Sequence, residues 1–362
     1  MAFVSRTAAC LSNGLSAHTR RTIYFLGLAA MMGRVVHAND QDHVPPRADA
    51  PLILTGTIAV PNVDGRIDHF AVDPGGRVFI CVIGSDTVEV LETLTEKRIH
   101  TITGVPHPQG AVYVPEFKKL FVSSRDGKLY VFDGTSYDRV TSLAFDDDVD
   151  NLRYDDVSKR VYVAHGDGET AGIAVISAET NQRLAQDFRL GAHPESFQLE
   201  KAGPAIFVNL PDLNQIAVIN RVTHAITKWP LPQLEGNFPM ALDEANHRLF
   251  VASRTPPRLI VLDTESGHLI AAIRCAADAD DLYYDASFKR VYIPGGQGFI
   301  SVFKQSDADH YRLLAEIPSA LGARTAGYAS RIGKKGRDRF YLAVPARPGH
   351  NGAEVWIFQA QE

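Results

Sequence analysis

Seven stretches of the chain repeat one hydrophobic pattern: a short apolar run that includes an aromatic residue, a turn, and a second short apolar run. The turns are rich in Gly, Pro, Asp and Asn, which favour chain reversal. The pattern recurs every forty-odd residues and contains only strands and turns, which is typical of one blade of a β-propeller. It therefore predicts an all-β, seven-bladed β-propeller. The aromatic residues that mark the repeats are Phe79, Phe121, Tyr162, Phe207, Phe250, Tyr292 and Tyr341.

Each repeat is expected to supply the four strands of one blade. In the first repeat these are residues 68–72, 77–82, 87–91 and 97–102. The second strand is apolar on both faces, as expected for a strand covered by the blades on either side. We expect the third strand to alternate between buried and exposed positions and the fourth to be the more polar outer rim.

The last repeat lacks a fourth strand, because the sequence ends soon after its second apolar run at 355–358. The segment 52–60 precedes the first repeat and has no inner strands of its own. We expect it to pair onto the last blade as the missing outer strand, which would remove an exposed sheet edge. Residues 52–362 are thus predicted to form a single seven-bladed propeller domain, preceded by a short linker at 39–51.

The first 38 residues have a different composition. Arg6, Arg20 and Arg21 precede an apolar stretch at 23–32, and small residues follow at 36–38. This order predicts a secretory signal peptide at 1–38, and the apolar stretch is too short to be a permanent membrane anchor. The protein is therefore expected to be periplasmic or secreted. The arginine pair leaves both Sec and twin-arginine export open.

Composition and charge limit the partners of the chain. Hydrophobic residues make up 45% and charged residues 22%, as in ordinary globular domains. The net charge of −5 becomes more negative when residues 1–38 are removed, since they contain arginines and no acids. Such a protein is a poor partner for nucleic acid or an anionic membrane. Separately, we expect a monomer that has no membrane span once the signal peptide is removed. Cys81 and Cys275 fall in different repeats, so no disulfide is expected.

Several phrases in the repeats have a recognisable form. They are Gly-Ser-Asp-Thr-Val-Glu-Val-Leu at 84–91, Phe-Val-Asn at 207–209, Asn-Gln-Ile-Ala-Val-Ile at 214–219 and Leu-Ile-Val-Leu-Asp at 259–263. These phrases resemble the YVTN-repeat, YncE-like group of seven-bladed propellers over about residues 52–360, although the Tyr-Val-Thr-Asn phrase is never intact. The group includes lactonase-like and quinoprotein-dehydrogenase-like relatives, so the resemblance implies a fold without choosing an activity.

Acidic residues recur where the inner strands are predicted to begin. The first strand of each blade lines the central channel of a propeller, so residues at equivalent positions should converge on one channel end. Converging carboxylates repel one another unless a cation binds between them or their pKa values rise. Oxygen ligands favour a hard divalent cation, Ca²⁺ in particular, whereas inward-pointing histidines would admit a transition metal. The expected metal ligands are Asp68, Asp150, Glu195 and Asp280.

Histidine, amide and arginine side chains at neighbouring positions extend this set. The same residues also allow a purely structural role, since Asp and Asn at strand starts commonly bond to backbone N–H groups. Glu195 is the candidate catalytic base. The predicted ligand-binding residues are Asp68, His69, His107, Asp150, Asn151, His193, Glu195, Asn237, Asp280, Asp281 and Arg324.

The sequence contains none of the catalytic motifs Gly-x-Ser-x-Gly, His-Glu-x-x-His and Cys-x-x-Cys-His. No organic cofactor is expected. We therefore expect an exported scaffold that binds a small ligand or a periplasmic protein at its acidic, histidine-containing channel mouth. One alternative is a metal-dependent lactonase or hydrolase in which Glu195 acts as base. The other is an accessory subunit of a periplasmic redox system of the quinoprotein type.

Overall fold

The computed structural model describes residues 50–332 and 337–361, and these residues form seven antiparallel sheets of four strands each. The predicted signal peptide at 1–38 and all but the end of the predicted linker lie outside the described residues. Cys81 and Cys275 are both buried and free. No helix in the described ranges is long and apolar enough to cross a membrane.

Each sheet is one blade of a β-propeller, as the repeat pattern predicts, and in six of them the four strands follow one another along the chain from the channel to the rim. In chain order the strands are β1 (Leu52–Val60); β2 (Ile67–Val72), β3 (Arg77–Val82), β4 (Thr87–Glu92) and β5 (Lys97–Thr103) of blade one; β6 (Pro108–Val114), β7 (Lys119–Ser124), β8 (Lys128–Asp133) and β9 (Arg139–Ala144) of blade two; β10 (Val149–Asp155), β11 (Arg160–His165), β12 (Gly172–Ser177) and β13 (Arg183–Arg189) of blade three; β14 (Phe197–Leu199), β15 (Ala205–Leu210), β16 (Gln215–Asn220) and β17 (Ile226–Pro230) of blade four; β18 (Glu235–Asp243), β19 (Arg248–Thr255), β20 (Pro257–Asp263) and β21 (Leu269–Arg274) of blade five; β22 (Tyr283–Asp285), β23 (Arg290–Gly295), β24 (Phe299–Gln305) and β25 (Tyr311–Pro318) of blade six; and β26 (Ala326–Ile332), β27 (Arg337–Val344) and β28 (Ala353–Ala360) of blade seven. Single turns of 3₁₀ helix lie at Ile83–Ser85, Gly168–Thr170, Pro211–Leu213 and Glu244–Asn246.

The hydrophobic core is divided into clusters that lie between adjacent blades. One cluster, for example, joins Phe121 and Leu129 of blade two to Val161 and Val163 of blade three. The aromatic residues that mark the repeats are all buried, with at most 3% of their surface exposed. The second strand of each blade is apolar on both faces because both faces contact neighbouring blades.

The prediction that third strands alternate was wrong. The four central residues of β4 are all buried, including Glu89, which is 1% exposed. The Glu89 carboxylate accepts hydrogen bonds from Thr87, Thr101 and Arg98. Neighbouring blades therefore cover both faces of the third strand as well as the second, and a buried acid on it is satisfied by side chains of its own blade.

The seventh blade combines both ends of the domain. Its strand order is β1-β28-β27-β26, with β1 antiparallel to β28. Leu52 lies opposite Ala360 and Val60 lies opposite Ala353. Ile58 of β1 is completely buried in the core between blades seven and one. The outer strand of the last blade thus comes from the segment ahead of the first blade, so blade seven has four strands, as the other blades do.

Candidate functional site

The four carboxylates predicted to converge do lie together at one end of the central channel. Asp68 and Asp150 are in the first residues of β2 and β10, whereas Glu195 and Asp280 lie in loops just ahead of the short strands β14 and β22. Burial is the main cause that raises the pKa values of Asp68 and Glu195, and the charges of Asp150 and Asp280 raise both further. We call these four residues the channel mouth.

Arginines from three other blades surround Asp280. Arg254 donates a hydrogen bond to Asp280 Oδ1, and Arg324 Nε lies 2.9 Å from Oδ2. Arg66 Nη2 is 3.7 Å from Asp280 Oδ2 and donates a 3.1 Å hydrogen bond to Asp68. Asp280 is 5% exposed and Asp68 is 2% exposed, so these ion pairs are shielded on the carboxylate side. Converging carboxylates need a positive charge between them or raised pKa values, and at Asp68 and Asp280 arginine side chains supply that charge.

Asp150 and Glu195 form a different group with His193. One potential ligand atom from each of the three lies within 4.8 Å of the other two, the only such grouping among the described residues. Nε2 of His193 is 3.7 Å from Asp150 Oδ2 and 3.9 Å from Glu195 Oε1. The other ring nitrogen, Nδ1, is 2.8 Å from the carbonyl oxygen of Gly166, to which it donates. We call this group the cation cluster.

The contact with Gly166 determines which nitrogen of His193 is available. Because Nδ1 carries the proton donated to the carbonyl, Nε2 is the nitrogen directed at the two carboxylates. A histidine oriented in this way by a backbone carbonyl is typical of metal ligands. The Asp150 carboxylate is also incompletely satisfied, since its Oδ1 atom is buried without a hydrogen-bond partner. The cluster thus offers one nitrogen and two carboxylates to a cation.

Burial and mutual charge set the protonation of the cation cluster. Burial raises the pKa of Glu195 to about 8, assisted by the charge of Asp150. Burial disfavours the charged form of His193, but the adjacent Asp150 outweighs it and raises the pKa to about 10. Burial likewise acts against ionised Asp150, and His193 and His69 outweigh it and lower that pKa. Without a cation, two protons therefore neutralise this cluster at pH 7.

His69, Asp281 and Asn151 form the channel wall next to the mouth. His69 Nδ1 is 3.1 Å from Asp281 Oδ1, and its Nε2 is 3.5 Å from Asn151 Nδ2. Burial lowers the pKa of His69, but the charge and hydrogen bond of Asp281 outweigh it and hold the pKa well above its usual value. Asp281 Oδ2 also accepts a hydrogen bond from the backbone N–H of Ala326. His69 and Asp281 are therefore an ion pair that joins blades one and six.

His107 and Asn237, which were predicted to bind a ligand, lie apart from the channel mouth. The His107 side chain is 56% exposed and lies 4.0 Å from Asp86, to which its backbone N–H donates. Asn237 is 1% exposed and donates to Asn209 Oδ1 and to the carbonyl of Gln215, which ties blade five to blade four. No hydrogen bond or ion pair joins either residue to the channel mouth within the described ranges.

A pocket of about 330 Å³ is lined by residues of blades three, four and five and of the loops that precede them. His193 and Glu195 of the cation cluster line it, so a ligand in the pocket can reach them. The remaining polar wall is acidic, and we call this space the acidic pocket. Its aspartates are Asp147, Asp148, Asp167 and Asp212.

Of the arginines that pair with carboxylates at this end of the channel, only Arg324 was predicted from the sequence. One signal was present: the phrase Phe-Val-x-Ser-Arg occurs at 121–125 and again at 250–254. Its two arginines, Arg125 and Arg254, lie at the ends of equivalent strands: Arg125 directly follows β7 of blade two, and Arg254 is one of the last two residues of β19 of blade five. Arg125 Nε lies 3.9 Å from Asp148, and Arg254 contacts Asp280. A repeated arginine at this position therefore indicates charge pairing at the acidic end of the channel.

Comparisons with known proteins agree with the fold. No protein-family model matches the chain, and no curated protein matches its sequence. Hydrazine synthase of Kuenenia stuttgartiensis has a similar structure, with a TM-score of 0.68, 15% identity, and coverage of 83% of this chain and 98% of that one. The WD40 repeats of RRP9 also have a TM-score of 0.68, with 10% identity and coverage of 86% and 98%. At these identities the likeness shows a β-propeller fold alone.

Proposed function

We propose that this β-propeller is a binding scaffold whose binding centre is a divalent cation held by Asp150, His193 and Glu195. One observation carries the proposal: His193 Nε2 and the buried carboxylate of Asp150, which has an unpartnered oxygen, face one another within the cluster. Three protein ligands leave coordination positions open for water or for an oxygen atom of a ligand. The acidic pocket, which His193 and Glu195 line, would hold the rest of that ligand.

The donor set indicates which ion to expect. Ca²⁺ prefers six to eight oxygen ligands, whereas imidazole nitrogen suits zinc and other first-row transition metals. The cation cluster supplies one nitrogen and two carboxylates, and the arginines around Asp280 and Asp68 keep those two carboxylates out of the set. We therefore expect Zn²⁺ or Mn²⁺ to bind more tightly than Ca²⁺. The sequence favoured Ca²⁺ at four carboxylates and admitted a transition metal if histidines point inward, and the donor set of the cation cluster favours the second of these.

Titration of the metal-stripped full-length protein with Zn²⁺, Mn²⁺ and Ca²⁺, followed by calorimetry and thermal shift, tests the proposal. We expect Asp150→Asn and Glu195→Gln each to weaken binding at least about tenfold, because each removes a charged ligand. Asp146→Asn is the matched control, since Asp146 is an exposed acid near the same pocket but outside the cluster. Failure of all three ions to bind, or equal affinity in Asp150→Asn and wild type, would refute the cation centre.

The scaffold is favoured over the hydrolase alternative by the position of Glu195. A hydrolase needs a base that is free to take a proton from a metal-bound water. Glu195, the candidate base, is itself one of the three potential ligands. The likeness to hydrazine synthase is one of fold alone and does not favour the redox-subunit alternative.

The remaining expectations concern cellular context, and we propose them together. The basic, apolar and small segments of residues 1–38 support export to the periplasm or medium, and the repeat phrases support membership of the YVTN-repeat group. Expression in a Gram-negative host, followed by fractionation and N-terminal sequencing, should give a periplasmic monomer that begins near residue 39. Recovery of the uncleaved chain from the cytoplasm would contradict export.

A further inference from the structure

The central channel contains a second cavity, of about 410 Å³, lined by the inner strands of six blades. We call it the channel cavity. Its wall includes His69, Asp281, Arg153, Ser196 and the aromatic ring of Tyr283. The volume is within the range of pockets that bind small organic molecules. Its wall also contains a cationic side chain with no carboxylate within 4.0 Å among the described residues.

That cation is Arg153 in strand β10. Its Nη1 donates a 2.8 Å hydrogen bond to the carbonyl of Leu152, and its Nη2 donates a 3.0 Å hydrogen bond to Ser196 Oγ. The guanidinium also lies 5.3 Å from the centre of the Phe197 ring. These contacts use two of the five N–H groups of the guanidinium. The other three donate no hydrogen bond within the described residues, and Arg153 lines the cavity.

Within the part of the chain that the structure describes, no carboxylate lies within 4.0 Å of the Arg153 guanidinium, although Asp281 and Asp150 attract it from farther away. This distinguishes it from Arg66, Arg254 and Arg324, each of which lies within 4.0 Å of a carboxylate of the channel mouth. The acid among the residues that line the cavity, Asp281, is already paired with His69. Arg153 is half-buried, and a guanidinium that loses hydration without an adjacent opposite charge is costly. An anion entering the cavity would restore that interaction.

We propose that the channel cavity binds a small organic carboxylate, with its anion on Arg153 and its apolar body against the rings of the cavity wall. The guanidinium fork matches the two oxygens of a carboxylate and allows a bidentate pair. The hydroxyl of Tyr283 donates to the carbonyl of Ala326, so the ring is the part of this side chain that a ligand in the cavity would contact. Phe70 adds a second apolar ring to the same wall. The site is distinct from the cation cluster and requires no metal.

Binding of benzoate, benzamide and inorganic phosphate to the full-length protein, measured by calorimetry in EDTA, tests this inference. Benzamide has the ring of benzoate without its charge, and phosphate has charge without a ring. We expect benzoate to bind at least tenfold more tightly than either. Equal binding of benzoate and benzamide, tighter binding of phosphate, or no binding of benzoate at millimolar concentration would each overturn the proposal.

Variants locate the site. Arg153→Gln should weaken benzoate binding at least tenfold, and Arg153→Lys should recover only part of the loss, because an ammonium cannot make the bidentate pair. Arg312→Gln removes an arginine from the exposed outer strand of blade six and serves as the control for net charge. Wild-type affinity in Arg153→Gln would place benzoate elsewhere and refute the role of Arg153. The comparison of benzoate with benzamide in the wild-type protein stands even if Arg153→Gln does not fold.

Discussion

Replacing Glu195 by glutamine is expected to flatten the pH dependence of stability of the metal-free protein. The ordinary pKa of this carboxyl is 4.5, and burial with the charge of Asp150 raises it to about 8 in the folded state. The folded protein thus keeps a proton on Glu195 across a pH range in which the unfolded chain releases it. Because the unfolded state loses that proton first, rising pH favours unfolding between about pH 4.5 and 8.

The shift sets the size of the effect. Each unit of pKa difference corresponds to about 1.4 kcal/mol, so raising the pKa from 4.5 to about 8 gives an upper value of ~5 kcal/mol. The Glu195 side chain is 18% exposed, and solvent screening lowers our expectation to on the order of 3 kcal/mol. For a domain of about 300 residues, with an unfolding entropy of about 2 cal/mol/K per residue, this corresponds to ~5 °C in Tm.

Thermal melts in EDTA at half-unit steps from pH 4.5 to 8 measure this effect. The wild-type Tm should fall by about 5 °C more across the range than the Tm of Glu195→Gln. The slope that remains in the variant is assigned to Asp68, His69 and His193, whose pKa values are also raised. Glu179→Gln, a substitution of an exposed acid, should keep the wild-type slope. Parallel curves for wild type and Glu195→Gln would show that Glu195 ionises normally in the fold and would refute the reasoning.

Two further predictions concern the blades. Deletion of residues 51–60 removes three buried side chains of β1 and exposes the edge of β28. At about 2 kcal/mol for each side chain, the Tm should fall by ~10 °C in a calorimetric scan. An unchanged melting curve would contradict the role of β1 in closing the ring. Arg98→Met should cost about 2–4 kcal/mol in urea unfolding, since it removes the cation from the buried carboxylate of Glu89. Adding Glu89→Gln should recover part of the loss, and a single variant as stable as wild type would count against this account.

The fold was predictable because each blade needs strands that are apolar on both faces. Such strands leave a regular signal, seen in the run from Val78 to Val82, and the turns between them are polar. The burial of both faces of the third strands was harder to predict from the sequence. Glu89 suggests an exposed face, but its partners Thr101 and Arg98 are on the next strand, so its burial depends on pairing that the local sequence does not show.

The acids of the candidate site were predictable from the repeat, but their partners were not. Alignment of equivalent positions identified Asp150 and Asp280, because the propeller brings equivalent positions to the same end of the channel. Arg66 and Arg254 lie at other positions of the repeat and reach Asp280 from different blades. The orientation of His193 likewise depends on the carbonyl of Gly166, in a neighbouring blade. Contacts between blades, unlike strands within them, have no local pattern in the sequence.

The seventh blade also brings the first and last strands of the propeller together, which makes the domain suitable for circular permutation. The backbone N–H of Gln361 donates a 3.0 Å hydrogen bond to the carbonyl of Pro51, so the two ends of the propeller lie beside each other. A short peptide joining them would close the backbone into a circle, and the circle could be reopened at any exposed turn between strands. Such permuted chains would keep every strand pair of the ring. A fused domain could then be attached beside the acidic pocket or on the outer rim, wherever the new ends were made.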